Sequence, residues 1–361
     1  MSMREIHLPS YRVRIAEGLL DSLGGLVGEA APAHRYAVVS DATVAGLYAG
    51  RALASFASGA ARLFAVPAGE PHKTRESWAR LTDEMLEAGF GRDTTVVALG
   101  GGVVGDLAGF VAATFMRGVP YVQVPTTLLA MIDASIGGKT GVDTPAGKNL
   151  VGAFHQPAAV VVDPATLATL PAGHLRAGLA EALKHGVVAD EVYFERTVET
   201  LPALLAPGGT SLPEVTELSA RSVAIKADVV RRDEREGGLR KILNFGHTLG
   251  HAIELLSGYA MLHGEAVAVG MSLESELAER AGIAECGTGD RVRAALAAAD
   301  LPVDRPRVMR ADDILAATRL DKKARLGTVE YALPRRVGAM AGELSGWAVT
   351  VDDGLVREVL A

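Results

Sequence analysis

A single cysteine, Cys286, stands among 361 residues. No internal disulfide framework is therefore possible, and a reducing compartment fits the chain. Basic residues are outnumbered: 36 Lys and Arg face 43 Asp and Glu, for a net charge of −7 and a pI near 5.8. Non-specific nucleic-acid binding is not expected on that balance, and any anion site must be a local cluster of bases. No apolar run approaches the roughly 18 to 20 residues of a membrane span. The opening MSMREIHLPSYRVRI lacks the apolar stretch of a signal peptide, so the expected location is cytoplasmic. Internal repeats and low-complexity tracts are also missing. What is there is an ordinary globular composition, 49% hydrophobic and 22% charged, in a chain long enough for two domains.

Short apolar runs alternate with helical patterns through the first half. Tyr36–Ser40, Arg62–Val66, Thr95–Leu99 and Tyr121–Val124 read as strands. Stretches 43–56, 74–87 and 106–116 between them read as helices. Strands separated by helices imply right-handed βαβ units and a parallel sheet. From about residue 172 the pattern becomes helical, over 174–184, 191–205, 212–231, 244–256, 264–281 and 291–299. The expectation is an α/β domain over 1–171 and a mostly α-helical domain over 172–361.

Three of the nine histidines lie between 247 and 263, in Asn244-Phe-Gly-His247-Thr-Leu-Gly-His251 and Leu262-His263-Gly264-Glu265. Imidazole is the natural metal donor in a chain nearly without cysteine. His247 and His251, four apart, share a helix face. Thr248 after His247 excludes the H-E-x-x-H metalloprotease pattern. His263 and the carboxylate Glu181 add to them, and a Glu with two His leaves an open position on zinc as in catalytic sites. Spacing does not decide which two histidines bind. Leu99-Gly-Gly-Gly-Val-Val-Gly-Asp106 follows a strand and opens a helix, where free N–H groups suit a pyrophosphate. Thr126-Thr127 reads as a helix cap. Ile136-Gly-Gly-Lys139-Thr-Gly and Ala146-Gly-Lys148-Asn149 read as a glycine-rich loop with two lysines for phosphate or carboxylate oxygens, and not as an ATP-binding P-loop.

GGGVVGDLAGFVAATFMRG (100–118), VPTTLLAMIDASIGGKTGVDTPAGKNLVGAF (124–154), LRAGLAEALKHG (175–186), DEREGGLRKILNFGHTLGHAIE (233–254) and LHGEAVAVGM (262–271) together resemble the 3-dehydroquinate synthase family of sugar-phosphate cyclases. The resemblance implies a Rossmann-like NAD-binding domain, a helical domain, one zinc or cobalt ion and a homodimer. Glu181, His247 and His263 match the metal ligands, with His251 on the substrate side. NAD contacts match Asp41, Gly69, Glu70, Lys73, Gly102, Val103, Val104, Gly105, Asp106, Thr126, Thr127, Thr166, Leu167, Ala168 and Thr169, with Lys139 and Lys148 nearby. Thr43 stands where the family often has Asn. Lys139, Lys148 and Asn149 match phosphate-side groups, and Arg117 an arginine that reaches the neighbouring subunit's phosphate pocket. Lys226 and Arg240 match a carboxylate clamp, while Asp133, Lys184, Glu236, Asn244 and His251 line the pocket. Lys322 or its neighbour Lys323 completes the phosphate site.

The implied substrate is 3-deoxy-D-arabino-heptulosonate 7-phosphate, and the implied product 3-dehydroquinate. The route is transient oxidation by NAD, phosphate elimination, re-reduction, ring opening and an intramolecular aldol closure. Sister cyclases making 2-deoxy-scyllo-inosose, a valiolone or amino-dehydroquinate are the nearest rivals. The first two act on substrates without a carboxylate, which leaves Lys226 and Arg240 without a purpose. Metal-dependent polyol dehydrogenases are a more distant rival and have no need of a phosphate pocket.

Overall fold

The computed structural model describes residues 3–211, 213–319 and 329–361. Two compact units emerge from Cα proximity: Met1–Leu170 with Thr210–Val223, and Pro171–Gly209 with Ala224–Ala361.

The first unit is built on seven strands: β1 (Arg4–His7), β2 (Arg12–Ile15), β3 (Arg35–Asp41), β4 (Ala61–Val66), β5 (Thr94–Gly100), β6 (Tyr121–Pro125) and, later in the chain, β9 (Ala159–Val162). Their order is β1-β2-β9-β6-β5-β3-β4. All neighbours are parallel except β1 and β2, which pair antiparallel at one edge. Alternate residues of each central strand serve opposite faces. Ala37, Val39, Val96 and Ala98 join one buried cluster with Leu107 and Val111, while Val38, Val97 and Leu99 join another with Leu23 and Tyr48. Such two-sided burial explains why these strands read as continuous apolar runs. The chain runs outward from β3 to β4, then returns to place β5 on the other side of β3. Carboxyl ends at this kind of reversal form the usual ligand crevice of open α/β sheets.

Two sequence expectations change in this unit. The helix after β5 spans Gly102–Thr114 and so starts inside the glycine cluster, not at Asp106. Residues 136–149 are not one glycine-rich loop. Lys139–Thr144 (β7) and Gly147–Phe154 (β8) pair as an antiparallel hairpin in register Lys139↔Phe154 to Val142↔Val151. Gly141 and Gly152 face each other there, and a Cβ on Gly152 would lie 2.1 Å from the Thr140 carbonyl oxygen. The glycines thus allow close strand approach and do not confer looseness.

The second unit is mainly helical: Ala172–Ala189, Glu191–Leu205, His247–Leu256, His263–Arg280, Thr288–Ala298, Ala311–Thr318 and Asp353–Leu360, with a small hairpin of Pro334–Arg336 and Ala339–Met340. Its core gathers Leu249, Ile253, Val269, Leu273, Leu277, Ile314, Tyr331, Leu333 and Val356. Helix Pro213–Arg232 is a single rod of 20 residues. Its first half groups with the first unit, through contacts such as Arg4 to Glu217 at 2.9 Å, although the sequence pattern places it with the helical half. A regular helix has no break at which composition could mark the change. Among the described residues no helix is long and apolar enough to cross a membrane.

Candidate active site

In the helical unit, three elements converge on one carboxylate. Glu181, fully buried, sits in the middle of the Ala172–Ala189 helix. His247 and His263 are the first residues of their helices, and His251 lies one turn beyond His247. Nε2 of His247 and Nε2 of His263 each stand 3.6 Å from Glu181 Oε1. The His251 ring is 5.1 Å from that of His247 and 5.8 Å from that of His263, centroid to centroid. Donor atoms of all three histidines lie within 4.8 Å of one another. Lys184, buried one turn after Glu181, forms an ion pair with Glu181 Oε2.

The second ring nitrogens are also engaged. His247 Nδ1 donates to the Phe245 carbonyl oxygen at 3.1 Å, and His263 Nδ1 meets Glu254 Oε2 at 3.2 Å. A carbonyl oxygen only accepts, so Nδ1 of His247 carries a proton in this contact, while its Nε2 faces Glu181. This outer carboxylate or carbonyl on Nδ1 is the arrangement that orients metal-bound imidazoles. The donor set of two oriented imidazoles and a buried carboxylate fits zinc or cobalt. Without a cation, burial disfavours a charged His263, but the Glu181 and Glu254 carboxylates outweigh it and push the pKa up to about 9.

The neighbouring loop is organised by Asp233. Its carboxylate accepts from the N–H groups of Gly237, Gly238 and Arg240 at 2.9, 2.7 and 2.9 Å. Partial burial opposes the charge, and these three donors outweigh it, holding the Asp233 pKa below the usual carboxylate range. The loop carries Glu236 at a left-handed φ of 63°, and Asn244 Nδ2 donates to Glu236 Oε1 at 2.6 Å. Arg240 is buried and donates through Nη1 to the Glu234 carbonyl oxygen. Lys226 is buried in the last third of the Pro213–Arg232 helix. Asn244 closes a 3-10 turn over Leu239–Asn244, so the helix anticipated from 244 begins at His247.

In the α/β unit, the anticipated cofactor residues gather at the carboxyl ends of the strands. Asp41 ends β3 and its Oδ1 accepts from Thr43 N at 2.9 Å and Val44 N at 3.0 Å. Gly102, Val103 and Val104 open a helix whose start has no side-chain cap, leaving orphan N–H groups. Gly105 abuts β6, where a Cβ would lie 2.7 Å from Gln123 Oε1. Thr127 accepts from Ala130 N at 3.2 Å and so caps the next turn. Thr126 Oγ1 is buried without a hydrogen-bond partner among the described residues. Thr166, Leu167, Ala168 and Thr169 form a 3-10 turn pinned by Tyr48, whose hydroxyl donates to the Thr166 carbonyl oxygen at 2.9 Å.

Lys73, almost wholly buried, is surrounded by Glu70 at 3.0 Å, Asp106 at 3.2 Å and Asp143 at 3.6 Å. Burial disfavours its charge, yet the three carboxylates prevail and raise its pKa above the ordinary lysine value. For Asp106 burial wins over Lys73 and the carboxyl is held above its usual range. Gly69 leads into this cluster at a φ of 105°. Lys148 reaches Glu70 at 3.4 Å, and Asn149 N donates to Asp143 Oδ1 at 2.9 Å. Lys139 starts β7, exposed, and Asp133 lies in the π turn Ala130–Ala134. Arg117 is exposed, and Met116, Arg117 and Gly118 have consecutive positive φ of 52°, 69° and 114°. Lys322 and Lys323 lie outside the described residues.

Comparison with known proteins gives the family of the chain. Residues 63–177 match the 3-dehydroquinate synthase N-terminal domain and residues 178–324 the 3-dehydroquinate synthase C-terminal domain. A 3-dehydroquinate synthase of Desulforamulus reducens is 46% identical over 91% of this chain and 92% of its own. One from Symbiobacterium thermophilum is 48% identical over the same shares. The chain belongs to the 3-dehydroquinate synthase family. Among solved structures, a 2-deoxy-scyllo-inosose synthase complexed with carbaglucose-6-phosphate, NAD+ and Co2+ superposes with a TM-score of 0.88 at 26% identity, covering 99% of each chain. A 2-epi-5-epi-valiolone synthase of Streptomyces hygroscopicus with NAD+ and Zn2+ bound gives 0.85 at 31% identity, over 100% of this chain and 98% of its own. A probable glycerol dehydrogenase of Sinorhizobium meliloti, 19% identical at 0.68, shares the fold.

Four carboxylates are given no role by the sequence reading: Asp143, Asp233 and Glu254, which lie within the family motifs, and Glu274, which lies outside them. Each supports a motif residue: Asn149, Arg240, His263 and Gly246 in turn. Glu254 had a legible signal, since it falls two helical turns after His247 on the same face. Asp143 and Asp233 sit in glycine-rich segments where a carboxylate commonly binds backbone N–H groups. Glu274, in an otherwise apolar helix, signals only that a buried acid needs partners.

Proposed function

We propose that the chain converts 3-deoxy-D-arabino-heptulosonate 7-phosphate to 3-dehydroquinate and phosphate, as a carbon–oxygen lyase acting on phosphate, in a cytoplasmic homodimer. The single observation carrying this reading is the buried Glu181 carboxylate faced by Nε2 of both His247 and His263, in a chain 46% identical to a 3-dehydroquinate synthase. The domains behind it are 1–171 for NAD and 172–361 for metal and substrate.

When bound, NAD+ takes and returns a hydride while zinc or cobalt polarises the hydroxyl that loses it. Glu181, His247 and His263 hold the ion, and Glu254 and the Phe245 carbonyl fix the two rings. His251 is left for the substrate. The N–H groups of Gly102 to Val104, with Gly105 and Asp106 behind them, receive the dinucleotide's phosphates. Asp41, the Gly69-Glu70 turn, Lys73, Thr126, Thr127 and the Thr166–Thr169 turn complete the NAD contacts. Lys139, Lys148, Asn149 and Lys322 take the substrate phosphate, joined by Arg117 from the partner subunit. Lys226 and Arg240 take the carboxylate. Fixing both ends of the substrate lowers the entropic cost of each step. Lys184, Asp133, Asn244, Glu236 and His251 orient and exchange protons with the hydroxyl groups between those ends.

The test is to mix the protein with the heptulosonate phosphate, catalytic NAD+ and Zn2+. Stoichiometric phosphate and a carbocyclic product, with no accumulation of NADH, are expected. Accumulating NADH without phosphate release would replace this reading with a polyol dehydrogenase.

A further inference from the structure

Glu274 is fully buried in the His263–Arg280 helix, three turns beyond His263. It is remote in sequence from the residues it holds. Gly246 N donates to its Oε2 at 2.7 Å and Leu249 N donates to its Oε1 at 2.9 Å. Those two N–H groups belong to the start of the His247–Leu256 helix, which has no side-chain cap of its own. The cap is supplied from the neighbouring helix.

The two helices also touch backbone to backbone at this point. A Cβ on Gly270 would lie 1.9 Å from the Gly246 carbonyl oxygen, and one on Gly246 would lie 2.4 Å from Met271 Cγ. Gly246 is at a left-handed φ of 78°. Gly270 and Glu274 are one turn apart on the same helix face, so contact and cap act on a single spot. That spot is the residue before His247. The helix led by His263 therefore fixes where the helix led by His247 begins.

We propose that Glu274 is a positioning residue for the divalent ion, acting through the backbone of Gly246 and Leu249. It sets the position of His247 Nε2 relative to His263 Nε2. It also places a buried negative charge against the positive end of the helix dipole, which would otherwise oppose a cation held at the helix's first residue. Neutralising Glu274 loosens both. The inference rests on the ligand assignment of Glu181, His247 and His263.

The experiment titrates Co2+ into metal-stripped full-length protein and follows the visible absorption of the bound ion. Four proteins are compared: wild type, Glu274→Gln, Glu279→Gln and His263→Ala. Glu279 is a matched control on the same helix, because its Oε1 accepts from Gly289 N at 2.6 Å at the start of the Thr288–Ala298 helix. Glu274→Gln should weaken Co2+ binding by about tenfold to a hundredfold and alter the absorption bands, the range that outer-shell losses give. Glu279→Gln should leave both unchanged. Equal Co2+ affinity in Glu274→Gln and wild type, while His263→Ala loses it, overturns the inference alone. Undiminished binding by His263→Ala overturns the ligand assignment beneath it. Equal weakening in both Glu→Gln variants reduces Glu274 to a general stabiliser and also overturns the inference. Should Glu274→Gln not fold, amide exchange on the metal-stripped wild type decides. Gly246 and Leu249 N–H groups should be protected like core amides and gain further protection with Co2+. Exchange at the rate of frayed helix ends, or no response to Co2+, overturns the inference.

Discussion

Nε2 of His247 and Nε2 of His263 stand at the same distance, 3.6 Å, from one oxygen of Glu181. Two helix starts and one helix middle thus present three donors to a common point. Removing any one leaves two, too few for a site that must also keep a position open. His263→Ala should retain the circular-dichroism spectrum while its metal affinity falls by more than about a hundredfold, beyond what outer-shell losses produce. Equilibrium dialysis against Zn2+ measures it, and full metal content would refute the assignment.

The same histidine sets a pH dependence. With no cation, its pKa is pushed up to about 9 by Glu181 and Glu254 despite burial. Its pairing therefore stabilises the metal-free protein fully below about pH 6.5, and that stabilisation is lost as pH rises through 9. A cation must displace this proton, so apparent metal affinity should climb between pH 6 and pH 9. Co2+ titrations at three pH values in that window check it; a flat or falling trend contradicts it.

Lys73 holds three carboxylates apart. Lys73→Met leaves Glu70, Asp106 and Asp143 facing one another and should cost about 3 to 5 kcal/mol at pH 7, as for other broken buried pairs. The carboxyls of Asp106 and Asp143 already lie above their usual range and should rise further without the ammonium. An acid with a raised folded pKa gains stability as pH falls. Denaturant melts should therefore show the penalty shrinking from pH 7 towards pH 5, whereas a pH-independent loss would mean that packing alone is at stake.

Arg117 combines an exposed guanidinium with a left-handed backbone. Arg117→Ala and Arg117→Gly should both weaken substrate binding by one charge-assisted contact, about 1.5 to 3 kcal/mol, read in KM. Their stabilities should differ. Glycine relieves the positive φ and should leave the protein about 1 kcal/mol more stable than alanine does. Unchanged KM in both variants would remove Arg117 from the site.

Asp233 acts on a loop. Asp233→Asn should raise KM about tenfold through Arg240 while the melting temperature moves little, because the loop lies outside the core. Its pKa is held low, so the support persists through neutral pH and fails only as pH falls below the ordinary carboxylate range. Amide exchange at Gly237, Gly238 and Arg240 reports this directly, and rapid exchange at pH 7 would rule it out.

The sequence alone was enough for the parallel sheet, the helix-rich part that follows it and a cluster of histidines able to hold a metal ion. Those features depend on short-range periodicity and on side chains scarce enough to stand out. Tertiary structure decided the rest. It paired β7 with β8 where glycines had suggested a loop, because strand approach is read from a partner and not from the segment itself. It brought Glu254 and the Phe245 carbonyl to the outer nitrogens of His263 and His247, and Glu274 to the start of a helix 25 residues earlier. The two carboxylates reach partners 9 and 25 residues away, while the Phe245 carbonyl is local and depends on how the chain enters the helix. A buried charge announces that it needs a partner, but only the folded chain brings one within hydrogen-bond reach.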